Sequence, residues 1–134
     1  MAQPDYATLM DAALRARDHA YVPYSRFAVG AAVLTANGTI FPGSNIENAA
    51  YPMTICAERV ALFSAYAVGA ADIVALAVVT DTAEVASPCG ACRQVINELA
   101  PNAQIVLFNL RGAQQLTTIQ ALLPHGFGPA QLKE

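Results

Sequence analysis

Apolar residues recur at helical spacing in three stretches of the chain, and runs of β-favouring residues lie between those stretches. Helices are predicted over residues 5–20, 55–68 and 89–100. Strands are predicted over residues 27–35, 39–46, 73–80, 104–109 and 115–118. Two consecutive strands followed by alternating helices and strands predict an α/β fold, a three-layer α/β/α sandwich around a mixed five-stranded sheet.

Local signals are expected to shape the ends of these elements. Pro4 suits the start of the first helix, and Thr54 is a candidate N-cap of the second. Asn37-Gly38 predicts a hairpin turn in which both residues adopt positive φ. The strand over residues 73–80 is apolar almost throughout, which predicts burial on both of its faces.

The composition limits the classes of protein to consider. With 134 residues, 55% of them hydrophobic and 13% charged, the chain is expected to form a single domain over residues 1–134 with apolar surface left for an oligomer. The net charge is −3 and the seven basic residues form no cluster, so long nucleic acid is not an expected partner. Neither a membrane-length apolar stretch nor a signal-like N-terminus is found, so the expected location is the cytoplasm, without a membrane partner.

All three cysteines lie in two short motifs. Cys56 stands two residues before Glu58, while Cys89 and Cys92 form a Cys-x-x-Cys after Pro88. Buried apolar cysteines are the simpler interpretation of three unrelated thiols, and a thioredoxin-like redox pair would leave Cys56 and Glu58 unused. The odd number disfavours a disulfide framework. The spacing favours a zinc site with three protein ligands and a fourth position for water, which is the catalytic type.

Both cysteine motifs are predicted to lie at helix starts, where the charge of the site can be balanced. Zinc with three thiolates carries a net charge of −1, and each helix N-terminus contributes about +0.5. Arg59 adds a full positive charge near the sulfurs, unless it is a solvated helix arginine. Glu58 is near the metal without being expected to bind it, and is the candidate acid–base group. An exposed acid at a helix start is the alternative interpretation.

At this point the residues resemble a known family. Cys-Ala-Glu-Arg at 56–59 and Pro-Cys-Gly-Ala-Cys at 88–92 match the motif of the zinc nucleobase deaminases in its three-cysteine variant. Further matching segments lie in the same order at residues 27–32, 45–51 and 122–127. The chain is thus similar, over about residues 5–132, to the small zinc-dependent, homotetrameric cytidine deaminases.

The resemblance implies a metal centre with one Zn²⁺ per subunit. Its ligands would be Cys56, Cys89 and Cys92, with Glu58 as the catalytic residue and Arg59 beside the ligands.

The resemblance also implies a nucleoside pocket. Phe27 would pack against the pyrimidine ring, Asn45 and Glu47 would hydrogen-bond the ribose 3′-hydroxyl, and the Ala57 N–H would donate to the pyrimidine carbonyl. Tyr51 would line the entrance. A core phenylalanine and a loop with polar edges are the alternative interpretations of these residues.

The implied reaction is hydrolytic deamination of cytidine and 2′-deoxycytidine to uridine, 2′-deoxyuridine and ammonia, a step of pyrimidine salvage. Glu58 would take a proton from water and deliver it to ring N3 while water attacks C4. One alternative is a related deaminase acting on a cytosine nucleoside antibiotic such as blasticidin S. Another is a non-catalytic module with structural zinc. Ribose contacts at Asn45 and Glu47 favour the nucleoside, and a fourth protein ligand would favour the module.

The C-terminal segment places Phe127 between two glycines after an apolar turn. The resemblance implies that this ring reaches into the pocket of an adjacent subunit of the tetramer; packing on its own subunit is the alternative. Gln131 stands where the family often has an acid, which leaves one inter-subunit contact open.

Overall fold

A computed structural model of the protein describes residues 5–132. Within them the helices are α1 (Tyr6–Arg17), α2 (Ala57–Ala67), α3 (Gly90–Leu99) and α4 (Ile119–Leu122). The strands are β1 (Val29–Thr35), β2 (Ile40–Ser44), β3 (Ile73–Thr80), β4 (Gln104–Asn109) and β5 (Gln114–Thr117). Short 3₁₀ turns lie at Tyr51–Met53 and Pro129–Gln131.

The five strands form one mixed sheet in the order β2-β1-β3-β4-β5. Strands β3 and β4 are parallel, because α3 connects them as a crossover, and the other three neighbouring pairs are antiparallel. Helix α1 packs on one face of the sheet, and α2, α3 and α4 pack on the other. The predicted three-layer sandwich with a mixed five-stranded sheet is confirmed.

The core is divided by the central strand β3. Leu76 and Val78 belong to the cluster under α2 and α3, whereas Ala77 and Val79 belong to the cluster under α1. Alternate residues of a strand point to opposite faces, so an apolar strand with helices on both sides is buried throughout. The predicted burial of this strand on both faces is confirmed.

Helix α2 lies unusually close to strand β2, and Gly43 is the reason. A Cβ at Gly43 would be 2.5 Å from the Ala57 carbonyl oxygen and 2.6 Å from the Ala61 nitrogen. Any side chain there would therefore push the first turn of α2 away from the sheet. Because that turn follows Cys56 and contains Glu58, the position of both depends on this glycine.

Three expectations at the ends of elements need correction. Helix α1 ends at Arg17, because residues 18–20 continue only as i→i−3 turns. Thr54 does not cap α2; Cys56 holds that position, and the Thr54 hydroxyl accepts from the Asn48 N–H instead. In the hairpin only Gly38 has positive φ, at 93°.

The hairpin differs because Asn37 hydrogen-bonds locally. Its Oδ1 accepts from the Thr35 hydroxyl at 2.6 Å and from the Thr39 N–H at 3.2 Å. These bonds satisfy the side chain without a left-handed backbone at Asn37.

The remaining boundaries differ from the prediction by up to two residues. Strand β1 begins at Val29, and β2 ends at Ser44, beyond which Ile46 makes only isolated bridges. The short helix α4 was not predicted from the sequence. Pro4 lies outside the described residues. Within residues 5–132 no helix has the length and apolarity of a membrane span.

Candidate active site

The three cysteine sulfurs come together at the starts of two helices. Cys56 is the N-cap of α2 and Cys89 is the N-cap of α3, with Cys92 in the first turn of α3. All three Sγ atoms lie within 4.8 Å of one another, and those of Cys56 and Cys89 are 3.8 Å apart. Tetrahedral zinc with Zn–S bonds of about 2.3 Å requires sulfur atoms about 3.8 Å apart. The cluster therefore fits Zn²⁺ with little rearrangement.

The local environment stabilises thiolate sulfur at this cluster. A hydrogen bond from Cys92, together with the Arg59 guanidinium 3.4 Å away, lowers the pKa of the Cys56 thiol to about 5. The hydrogen bond to Cys56, together with burial, raises the pKa of the Cys92 thiol. The Cys89 sulfur accepts from the Cys92 backbone N–H at 3.5 Å. Zinc binding would displace the remaining protons, since thiolates are the metal-binding form.

Glu58 lies in the first turn of α2 and is 5% exposed. Burial raises the pKa of its carboxyl group to about 7, and the negative charge of Cys56 acts in the same direction. A carboxyl group with a pKa near neutrality can both accept and donate a proton under physiological conditions. The alternative interpretation of Glu58, an exposed acid at a helix start, is therefore wrong.

Beside the cluster lies a cavity of about 210 Å³. Its lining includes six residues predicted for the site: Phe27, Asn45, Cys56, Ala57, Glu58 and Cys89. The Ala57 N–H belongs to the first residue of α2 and is thus one of the donors that a helix leaves without an internal partner. Phe27 is 43% exposed, so it is not a core residue of the isolated chain.

Asn45 organises the wall of this cavity. Its Oδ1 accepts from the Val29 N–H at 2.9 Å, and its Nδ2 donates to the Phe27 carbonyl at 2.8 Å. An amide can accept and donate once more beyond these bonds. Asn45 therefore orients the backbone on both sides of residue 28 and keeps capacity for a ligand.

Glu47 holds the adjacent connector in a similar way. Its carboxylate accepts from the backbone N–H groups of Tyr24 and Ser25 at 3.0 and 3.1 Å, and also from the Ser25 hydroxyl. The bond from that hydroxyl is the main cause of a lowered Glu47 pKa. The Ser25 Oγ in turn accepts from the Phe27 N–H at 3.0 Å. Glu47 is thus connected through Ser25 to the backbone of Phe27.

A second cavity, of about 400 Å³, contains the predicted entrance residue. Tyr24, Ser25, Glu47, Tyr51 and Thr54 line it, and the rings of Tyr24 and Tyr51 pack edge to face with centroids 6.0 Å apart. This cavity is larger and more open than the first, and its lining contains the Glu47 carboxylate and the hydroxyl groups of Ser25 and Thr54.

Phe127 lines neither of these two cavities. Its side chain is 56% exposed, and its backbone carbonyl is bound by α3. Gln131 also binds within the chain, because its Oε1 accepts from the Gly128 N–H at 2.7 Å. The structure therefore brings six predicted site residues together in one cavity and leaves Phe127 outside it.

Sequence reasoning missed several residues that shape the site. Ser87 and Thr80 line the smaller cavity. Arg93 donates to the Pro88 carbonyl at 2.8 Å and to the Ser87 hydroxyl at 2.5 Å, which fixes the segment before Cys89. The one available signal was that Arg93 directly follows Cys92, a predicted zinc ligand. The hydroxyl positions carry no pattern that distinguishes them from loop residues.

The buried Asn109 is a further residue of this kind. Its Nδ2 donates to the carbonyls of Thr82 and Ala83, and its Oδ1 accepts from the N–H groups of Arg111 and Ala113. These hydrogen bonds attach the loop after β3 to the end of β4. Part of that loop lines the smaller cavity.

In this α/β/α sandwich, three thiols and a buried carboxylate meet at the starts of two helices. This arrangement is typical of a zinc-dependent hydrolase. The family model for the cytidine and deoxycytidylate deaminase zinc-binding region matches residues 4–108. The chain belongs to this family.

Similar proteins align with nearly the whole chain. A cytidine deaminase of Halalkalibacterium halodurans is 53% identical over 92% of this chain and 94% of its own. One of Sporosarcina psychrophila is 50% identical over 96% of this chain and 95% of its own. The crystal structure of a cytidine deaminase from Burkholderia pseudomallei superposes with a TM-score of 0.89 at 48% identity, covering 93% of this chain and 100% of the other.

Proposed function

We propose that this protein catalyses zinc-dependent hydrolytic deamination of cytidine and 2′-deoxycytidine to uridine and 2′-deoxyuridine, with release of ammonia. The observation that carries the proposal is the grouping of three thiols at zinc spacing with a buried Glu58 on one narrow cavity. Membership in a deaminase family and relatives named cytidine deaminase support it.

Cys56, Cys89 and Cys92 would hold the zinc ion. When bound, zinc acts as a Lewis acid that makes water a nucleophile near neutral pH. Three thiolates weaken that effect by adding negative charge, and the two helix N-termini offset it. Arg59 adds further positive charge beside the ligands, because its guanidinium donates to the Cys56 sulfur.

Glu58 moves the protons of the reaction. As water attacks C4 of the base, the Glu58 carboxylate takes one proton and delivers it to ring N3. It then carries the second proton to the departing amino group, and the bond between C4 and that nitrogen breaks to release ammonia. A pKa of about 7 suits a group that must accept and donate in the same cycle.

The two cavities divide the substrate between them. A cavity of about 210 Å³ is smaller than the roughly 300–1,000 Å³ typical of small-molecule sites, so we place the base alone there. Phe27 would pack on the ring, and the Ala57 N–H would donate to the pyrimidine carbonyl. The sugar would extend towards Asn45 and Glu47, whose oxygens accept from hydroxyl groups.

The two alternative functions have less support. A structural zinc module needs a fourth protein ligand, and within residues 5–132 no further His, Cys, Asp or Glu joins the three cysteines. A deaminase for a cytosine nucleoside antibiotic would share the base cavity, and a comparison of substrates separates it from a cytidine deaminase.

We further propose that the protein works as a homotetramer with sites completed by neighbouring subunits. Exposed apolar side chains are numerous for a small domain. The largest exposed fractions within residues 5–132 belong to Leu132, Tyr51, Val68, Met53, Leu116 and Phe127. Three free thiols at a metal site persist best in a reducing compartment, so we place the enzyme in the cytoplasm.

The decisive experiment is an absorbance assay with cytidine, 2′-deoxycytidine and blasticidin S. We expect loss of cytosine absorbance with both nucleosides, and abolition after zinc removal by a chelator. Native mass spectrometry should show four chains and four zinc ions. Full activity in metal-free protein would disprove the zinc chemistry, and turnover of blasticidin S alone would replace the assigned substrate.

A further inference from the structure

Helix α3 binds the C-terminal segment that contains Phe127. The side-chain amides of Gln94 and Asn97 both donate to the Phe127 carbonyl oxygen, at 2.7 and 3.0 Å. The two residues are three positions apart and therefore lie on one side of the helix. Two donors on one carbonyl fix the backbone of Phe127 relative to α3.

The backbone of the segment is shaped for this contact. A Cβ at either Gly126 or Gly128 would lie 3.2 Å from Asn97 Nδ2, so larger residues at these positions would crowd the bond. His125 adopts a left-handed backbone, with φ of 56°, at the turn into the segment. The geometry of the segment thus favours the approach to Asn97.

A second attachment lies at the other end of the segment. Arg93, the residue before Gln94, donates to the Leu122 carbonyl at 2.7 Å. Helix α3 therefore holds the chain on both sides of the turn at residues 123–126.

This ordered backbone does not bury the ring of Phe127, which is 56% exposed and lines neither of the two cavities described above. Ordering a flexible segment on binding costs entropy. A segment that is already ordered before association therefore binds more tightly. An exposed aromatic on a fixed backbone is suited to contact with another chain.

We propose that Gln94 and Asn97 are positioning residues for the active site of a neighbouring copy of the chain. They hold the Phe127 carbonyl on α3, so that the ring enters the neighbour's pocket in a defined place. This inference rests on the shared site proposed above. Helix α3 then contributes to two pockets. It carries zinc ligands of the pocket in its own subunit, and it orients Phe127 for the pocket of the neighbouring subunit.

The first test removes both donors while keeping side-chain shape, in the double variant Gln94→Glu/Asn97→Asp. The KM for cytidine should rise roughly tenfold, because the tail is correctly placed only part of the time, while kcat changes less than about threefold. Gln94→Met/Asn97→Leu removes the donors without adding charge and should show the same split. An unchanged KM in both variants overturns the proposal.

Gln120→Glu is the matched control. Gln120 Nε2 also donates to a backbone carbonyl, that of Pro101, at 2.8 Å. The same loss of a donor there should leave KM at the wild-type value. Equal zinc content and equal oligomer size are required of all the variants, and an equal KM rise in the control would contradict a specific role for α3.

The second test asks in which chain the pair acts. The Gln94→Glu/Asn97→Asp chain is co-expressed with an excess of a Glu58→Ala chain, and hybrids are confirmed by native mass spectrometry. Every active pocket then belongs to the double-variant chain but receives its tail mostly from a chain with intact Gln94 and Asn97. KM should return to the wild-type value. If it stays raised, the pair acts only within its own subunit and the proposal is wrong.

A parallel hybrid of Phe127→Ala with Glu58→Ala separates the two ideas. If that mixture also recovers no activity or affinity beyond its parents, the shared site itself is wrong. If it recovers and the first hybrid does not, the shared site stands and only the role of Gln94 and Asn97 fails.

Discussion

The starts of α2 and α3 place a cysteine at the same N-cap position but surround it differently. At α2 the Cys56 side chain makes no capping bond and instead accepts from Arg59, while Glu58, two residues further on, is buried. At α3 the Cys89 sulfur accepts from the backbone of its own helix, and the first turn contains no acid.

The two helices also differ in what the side chains after the cysteines contact. In α3 the residues after the second ligand bind main chain elsewhere, since Arg93 donates to the Pro88 and Leu122 carbonyls and Gln94 to that of Phe127. The start of α2 thus contains the proposed acid–base residue, and α3 with its N-cap contains two of the proposed ligands together with the side chains that hold the surrounding segments. Mutations that are similar in chemistry should therefore differ in outcome between the two helices.

The largest contrast is expected between Glu58→Gln and Cys89→Ala. Glu58→Gln should keep one zinc per chain but lose at least about 10²–10⁴ in kcat, because an amide cannot carry the proton. Cys89→Ala should lose the metal and activity together. Zinc analysis and cytidine turnover measure both. Near wild-type turnover of Glu58→Gln would rule out its assigned role.

A smaller contrast is expected between the two arginines that follow the ligands. Arg59→Gln removes the cation from the Cys56 sulfur and should cost about 10–100-fold in zinc affinity or activity, as for other groups that bind a metal ligand. Arg59→Gln should lower the free energy of unfolding less than Arg93→Gln does.

Arg93→Gln should affect stability more than zinc affinity. It loses bonds to two carbonyls and to Ser87, which lowers the free energy of unfolding by about 2–4 kcal/mol. Zinc affinity should change less than for Arg59→Gln. Denaturant unfolding at matched protein concentration and competition with a chelator provide the two readouts, and equal patterns for both arginines would remove the distinction between the helices.

The smallest contrast concerns a glycine near each helix start. Gly43→Ala places a methyl group 2.5 Å from the Ala57 carbonyl and should destabilise the protein by about 1–3 kcal/mol, with a loss of activity as the start of α2 moves. Gly90→Ala meets nothing within 4 Å and should change stability by no more than about 1 kcal/mol. Equal unfolding curves for the two variants would show that α2 adapts freely.

The sequence alone determined the order of the main elements and the composition of the metal cluster. Hydrophobic periodicity separates helices from strands because burial acts on every turn of an element, and thiols at fixed short spacing on a helix start must point the same way. For this reason the sheet, its burial on both faces at β3 and the meeting of Cys89 with Cys92 were predicted.

Only the tertiary structure decided how these parts are held. The burial of Glu58 depends on the approach of α2 to Gly43, and the bonds of Asn45 and Glu47 depend on a connector some twenty residues away in the chain. Thr54 was wrongly expected as the cap of α2, since its hydroxyl is used by Asn48. Hydrogen bonds between distant segments leave no periodic signal, because each needs only one polar residue that the fold brings into range.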